Sequence, residues 1–309
     1  MSDFKIDFCG VGAAKAGTTW VTKQLMDHPQ TCIGRRKELN YFMRNHPLEG
    51  VFPRTGSHFD SLNYTRGMEW YEEQYCRCQP GQLKGELSTS YLADPTSPKL
   101  LAEHNPDLKL IMNIRNPVDA VYSVYYQVYQ MHTVHETFEE LLDRTNDHLE
   151  YYSYSRHMKR YLDYFPEEQI KFIFLDDIKA DSNGVYDELC DFLGIDKVEL
   201  DSVSKKVNPS TMVRSTKVRD LAIQIYYLFN KNETMRNIRD WMRDKKLSVI
   251  ARKIRRWNSV QAKYPPMKLE TRARLIEEFH DDIIEVGKMQ NRDLSDWLKL
   301  PEEKGATAK

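Results

Sequence analysis

The stretch that decides the fold is Ile6-Asp7-Phe8-Cys9-Gly10-Val11 followed by Gly12-Ala13-Ala14-Lys15-Ala16-Gly17-Thr18-Thr19-Trp20. Its first six residues read as a short buried strand, Gly12 to Gly17 as a small-residue turn, and Thr18 to His28 as a helix ended by Pro29. Strand, small-residue loop and helix together form an anion site: backbone N–H groups approach the ligand closely, and the helix N-terminus adds partial positive charge. Set against the Walker A pattern G-x-x-x-x-G-K-[ST], Gly12 and Gly17 are correctly spaced and Thr19 supplies the hydroxyl. Thr18, however, stands where the lysine belongs, and the lysine of this loop is Lys15. Strand context, internal lysine and paired threonines favour a phosphate loop over an ordinary strand-to-helix turn.

Further along, Leu108-Lys-Leu-Ile-Met-Asn-Ile114 makes a second strand that ends at Arg115-Asn116-Pro117, with a helix from about Val118 and Pro117 near its first turn. Ile170-Lys-Phe-Ile-Phe-Leu175 makes a third, followed by Asp176-Asp177. Helical stretches are predicted near 136–150, 155–165, 184–193 (closed by Gly194) and 269–289. Mostly apolar strands alternating with helices predict an α/β fold, a parallel sheet flanked by helices. An Arg at the carboxyl end of such a strand points into the crevice where these sheets bind ligands. Arg115 can grip phosphate oxygens with its planar fork, and Ser123, two turns into the next helix, can add a hydroxyl.

The composition of the 309 residues, 11% aromatic with thirteen Gly and thirteen Pro, excludes collagen-like and disordered chains. A net charge of −1 argues against a dedicated nucleic-acid binder, but the total conceals a division. Residues 205–263 hold sixteen Lys and Arg against four acids, a net +12 that leaves −13 elsewhere. Their interleaved apolar residues predict amphipathic helices, packed on the main domain or closing as a lid over an acceptor site. Arg214 and Lys217, within Asn208–Lys217, are candidate polar groups for the ligand. No apolar run is long enough for a membrane span, and the N-terminus lacks the pattern of a signal peptide. The five scattered cysteines predict a reducing cytosol rather than a disulfide framework, and Cys76-Arg77-Cys78 lacks the second ligand pair of a zinc site.

Lys15-Ala16-Gly17-Thr18-Thr19-Trp20 resembles the 5′-phosphosulfate loop, K-x-G-T-T-W, of sulfotransferases that use 3′-phosphoadenosine 5′-phosphosulfate (PAPS). Arg115-Asn-Pro-Val-Asp-Ala-Val-Tyr-Ser123 resembles their 3′-phosphate motif R-[DN]-P-x-x-R-x-x-S, with Ala120 where many members have a second Arg. The resemblance spans nearly the whole chain. Lys84 to Tyr91 is similar to a G-E-K-[ST]-P-x-Y segment, with Leu87 for the lysine and Thr89 for the proline; Asp176-Asp177-Ile178-Lys179 is similar to E-D-[LM]-K. It implies a P-loop-type sheet, PAPS as co-substrate and 3′,5′-adenosine diphosphate (PAP) as product, with no metal. It assigns donor binding to Lys15, Ala16, Gly17, Thr18, Thr19, Trp20 (against adenine), Arg115 and Ser123. Lys15 also neutralises charge growing on the leaving phosphate. The tyrosine that touches adenine in cytosolic members is here Leu175.

The resemblance extends to a catalytic base. Cytosolic members use His, whereas heparan-type members use Glu in K-E-x-x-[FY]-F, which Lys37-Glu38-Leu39-Asn40-Tyr41-Phe42 resembles. Glu38 is thus the candidate base for in-line sulfuryl transfer to a hydroxyl, or less readily an amine. His104 is a rival if its loop folds inward; His132 and His135 are spaced like a metal pair without a third ligand. One sulfotransferase domain over 1–309 is expected, cytoplasmic, with no integral membrane association and no nucleic-acid partner. A small-molecule, lipid or carrier-bound acceptor is expected rather than a Golgi glycan, and oligomeric state stays open. Two other readings stand beside this one: a P-loop NTP-dependent kinase, with Asp176 or Asp177 on Mg²⁺, and an inactive nucleotide-binding protein of the same fold.

Overall fold

The first apolar run becomes β1 (Phe8–Gly12), with every residue buried. The computed structural model describes residues 4–35, 37–44, 63–130, 136–204 and 265–301, together with 211–215, 257–261 and a few single positions between those two. After β1 come α1 (Thr18–Asp27), β2 (Thr31–Ile33), α2 (Gly67–Glu73), β3 (Leu83–Leu87), α3 (Ser97–His104) and β4 (Lys109–Ile114). Then follow α4 (Pro117–Gln130), α5 (Phe138–Arg144), α6 (Asp147–Tyr152), α7 (Tyr154–Leu162), β5 (Ile170–Phe174), α8 (Leu175–Ala180) and α9 (Ser182–Leu193). Two short strands, β6 (Thr211–Val213) and β7 (Ser259–Gln261), precede the long α10 (Leu269–Met289).

Five strands form a parallel sheet in the order β2-β3-β1-β4-β5. Alternation along β1 sends Phe8 to one core cluster and Cys9 and Val11 to the other, so both faces of the sheet are covered. Gly85 lies opposite Phe8, and a Cβ there would run into the Phe8 ring. Central β1 has β3 on one side and β4 on the other, which places the crevice of a strand-order reversal at its carboxyl end.

The α/β expectation and the three strands read from the sequence are present, as are the helices that begin at Pro117 and end at Gly194. Two strands of the main sheet escaped the reading, and so did β6 and β7, which lie within the segment expected to form helices. Three-residue β2 is too short to show periodicity, and β3 (Leu-Lys-Gly-Glu-Leu) carries a buried Glu where an apolar residue is expected. The stretch 136–150 divides into α5 and α6 rather than forming one helix, and a Thr137/Glu140 capping box fixes the start of α5.

The cysteine reading is corrected. Cys32 in β2 is joined to Cys78 by a disulfide across 46 residues, leaving Cys9, Cys76 and Cys190 as free thiols. Cysteine usage thus gives no support to a reducing compartment. Among the described residues no helix is long and apolar enough to cross a membrane.

Antiparallel pairing of β6 with β7 brings the two ends of the basic segment together. Asn258 clasps the junction: its carbonyl accepts from Arg214 N at 2.7 Å, and its side-chain amide exchanges hydrogen bonds with Ser215. Most of the segment between, including the expected lid, lies outside the described residues, as do Asn208, His132, His135 and the tail from Glu302.

Candidate active site

The candidate residues follow the carboxyl ends of parallel strands and therefore converge at one end of the sheet. Lys15 follows β1, Lys37 and Glu38 follow β2, Thr89 follows β3, Arg115 follows β4, and Asp176 and Asp177 open α8 after β5.

The Gly12–Gly17 loop is held from both sides. Ala13 N donates to Asn113 O at 2.9 Å, and Tyr152 OH donates to Ala14 O at 3.2 Å. Gly17, at φ 95°, takes the left-handed conformation that lets α1 start, and its carbonyl receives Trp20 N. Ala16 and Thr18 are buried and Thr19 half-buried. Leu175 and Ile178 of α8 pack against Gly17, so Leu175 supports the loop from the first residue of that helix. Trp20, expected against adenine, is a core residue with 6% exposure, and its indole donates to Val203 O at 3.1 Å. It packs in a hydrophobic cluster with Phe8, Val21 and Leu25.

Three cations meet here. Arg115 Nη1 donates to Lys15 O at 2.9 Å, and Lys37 Nζ donates to Thr18 Oγ1 at 3.2 Å. Burial, then the charges of Arg115 and Lys37, push the Lys15 ammonium down from 10.5 to about 8. Burial also lowers Lys37, partly offset by Glu38. Clustered buried cations of this kind destabilise one another unless an anion lies among them. Ser123 is buried in the second turn of α4, the helix that follows Arg115.

Glu38 adopts φ 61° and donates its backbone N–H to Leu87 O at 3.0 Å. Its carboxylate accepts from Thr89 N at 2.7 Å and from Thr89 Oγ1 at 3.2 Å, while Lys37 Nζ stands 3.6 Å from Oε1. The turn continues on a buried support. Tyr91 OH accepts from Tyr41 N and Phe42 N and donates to Glu86 Oε1 at 2.6 Å. Glu86 is fully buried, and desolvation pushes its carboxyl from 4.5 up to about 8.

Several expectations are redirected. His104 accepts from Ile6 N through Nε2 and packs 4.7 Å from the Phe42 ring, so it is a core residue, and burial lowers it to about 4. Asp177 is gripped by Arg292 through two bonds of 2.6 Å, and Asp176 by Lys179 and the Trp297 indole. The carboxylates that a kinase would give to Mg²⁺ are therefore engaged in ion pairs. Arg214 lies 5.5 Å from the Trp257 ring centroid, and both Arg214 and Lys217 are exposed.

Sequence reasoning missed the tyrosines of α6 and α7. Tyr151 OH donates to Thr89 O at 3.1 Å, Tyr152 holds the phosphate loop, and buried Tyr154 lies close enough to Arg115 to feel its charge. The available signal was the run Tyr151-Tyr152-Ser153-Tyr154, since a buried tyrosine must find a partner for its hydroxyl.

The family model described as a sulfotransferase domain matches residues 5–263. Heparan sulfate glucosamine 3-O-sulfotransferase 3B1 of Homo sapiens is 28% identical over 197 residues, 58% of this chain and 49% of that protein. The bifunctional heparan sulfate N-deacetylase/N-sulfotransferase 1 of Caenorhabditis elegans is 23% identical over 201 residues, 61% of this chain and 22% of that protein. The chain spans about half the length, or less, of these curated relatives. In fold it is similar to a sulfotransferase from Alicyclobacillus acidocaldarius, with TM-score 0.65 and 22% identity, covering 96% of this chain and 100% of that one.

Proposed function

The chain belongs to the sulfotransferase family, and from that premise we propose that it moves the sulfuryl group of PAPS to an acceptor hydroxyl, with Glu38 as base. The observation that carries this reading is the contact chain Thr18–Lys37–Glu38, which joins the phosphate loop to the carboxylate through one ammonium. The clustered cations Lys15, Lys37 and Arg115, of which Lys37 is shared with Glu38, fit an anionic donor with phosphate at both ends.

In this reading the loop amides, Lys15, Thr18 and Thr19 hold the 5′-phosphosulfate, and Arg115 and Ser123 hold the 3′-phosphate. Glu38 accepts the acceptor's proton as its oxygen attacks sulfur. Lys15 stabilises charge gathering on the leaving phosphate oxygen, and Lys37, beside both Thr18 and Glu38, faces the sulfuryl oxygens in transit. Trp20 serves by anchoring α1 rather than by stacking on the base.

For the acceptor we propose a glycan hydroxyl in place of the small or carrier-bound acceptor expected earlier. The support is that the curated relatives named above act, by their names, on heparan sulfate. The disulfide is compatible with an oxidising compartment in which such glycans are modified.

The test is thermal shift with PAP against ATP–Mg²⁺, followed by sulfate transfer from PAPS to desulfated glycans and to simple alcohols. Stabilisation by PAP with transfer to the glycan is expected. Stabilisation by ATP–Mg²⁺ alone overturns the donor assignment, and transfer only to simple alcohols overturns the acceptor.

A further inference from the structure

Glu38 and Asn40 both occupy the left-handed region, at φ 61° and 51°. Neither is glycine, so each costs the chain free energy that the surroundings must offset. The surroundings in question are the end of β3 and the turn after it. Leu87 O receives Glu38 N, Ser88 Oγ receives Asn40 N at 3.0 Å, and Tyr91 OH receives the next two backbone N–H groups.

Thr89 differs from these neighbours because it holds the carboxylate rather than the backbone. Its N–H donates to Oε2 at 2.7 Å, and its hydroxyl lies 3.2 and 3.3 Å from the two carboxylate oxygens. Thr89 is held in turn, since its carbonyl accepts from buried Tyr151. The two faces of the carboxylate are therefore unequal: Oε2 is taken up by a backbone donor, whereas Oε1 is turned toward Lys37.

We infer that Thr89 is the positioning residue of the proposed base: its paired donors fix the Glu38 carboxylate so that Oε1, beside Lys37, receives the acceptor proton. The inference rests on the reading of Glu38 as base.

Three variants separate the donors. Thr89→Pro removes both the N–H and the hydroxyl, Thr89→Val removes the hydroxyl alone, and Thr89→Ser retains both; all keep the carbonyl that Tyr151 uses. Turnover, KM for PAPS and thermal shift with PAP are measured for each. We expect kcat to fall about a hundredfold in Thr89→Pro, as for a misplaced catalytic group, and by less in Thr89→Val. Thr89→Ser stays near wild type, and KM for PAPS and the PAP shift are unchanged in all three variants. Should Thr89→Pro fail to fold, Thr89→Val carries the same readouts.

Wild-type kcat in the variants that lose donors overturns the inference. So does a loss that falls equally on PAP binding. Glu38→Gln serves as the control. If it turns over normally, the base assignment itself fails; if it is inactive while the Thr89 variants are normal, only the role of Thr89 fails.

Discussion

The Lys37 ammonium lies 3.2 Å from the Thr18 hydroxyl, so a side chain that follows β2 reaches the first turn of α1 across the crevice. Its other neighbour is the Glu38 carboxylate at 3.6 Å. One cation thus spans the gap between the proposed donor loop and the proposed base. Replacing it by Met keeps the apolar stem and removes the charge. Lys37→Met is expected to lower kcat by about 10²–10³, the range for losing one electrostatic donor at a transition state. PAP affinity, measured by titration calorimetry, should change far less.

Glu38→Gln keeps the shape and removes the proton acceptor. Turnover should fall by about 10²–10⁴, the usual contribution of a general base, while PAP still raises the melting temperature. Near-normal turnover would sink the assignment.

Lys15 gives donor binding a pH dependence. Held down to about 8 in the free protein, it loses its charge as the pH rises above that value, and an arriving phosphate draws it back toward 10.5. PAP should therefore bind more weakly as pH rises above about 8, with proton uptake on binding. Calorimetry in buffers of different ionisation enthalpy measures that uptake, and Lys15→Met should abolish it.

Glu86 bears on stability. A carboxyl raised in the fold from 4.5 to about 8 favours the folded state most below 4.5, and that advantage is lost as pH rises to about 8. Glu86→Gln, which retains an acceptor for Tyr91, should remove this dependence. The difference in unfolding free energy between variant and wild type should widen by a few kcal/mol over that window. Parallel curves in denaturant titrations at several pH values would contradict the buried neutral form.

The Cys32–Cys78 bridge closes a loop that contains the Lys37–Glu38 turn. Its reduction, or the Cys32→Ser/Cys78→Ser pair, should cost about 2–4 kcal/mol of stability. Unfolding with and without reductant tests this, and equal midpoints would show that the bridge does not form.

Asn113, buried on β4 beneath Gly17, has no hydrogen-bond partner for either amide atom among the described residues. Asn113→Val should raise the melting temperature by relieving an unmet amide, a gain of about 1–3 kcal/mol. A lowered melting temperature would mean that the amide is paired through water.

The sequence by itself determined the strand–loop–helix around Gly12–Gly17, the place of Arg115 at the end of β4 and the α/β order, because each depends on neighbouring residues: small residues at a turn, apolar runs, a proline at a helix start. It also placed Lys37 next to Glu38. Tertiary structure alone decided what those residues touch. Lys37 meets Thr18 and Thr89 meets Glu38 because β2, β3 and β1 are parallel neighbours whose carboxyl ends share one crevice, an adjacency set by strand order. The disulfide, the tyrosine supports of α6 and the core role of Trp20 were hidden for the same reason. A side chain's type limits what it can do, but its partner is chosen by residues far along the chain that packing brings beside it.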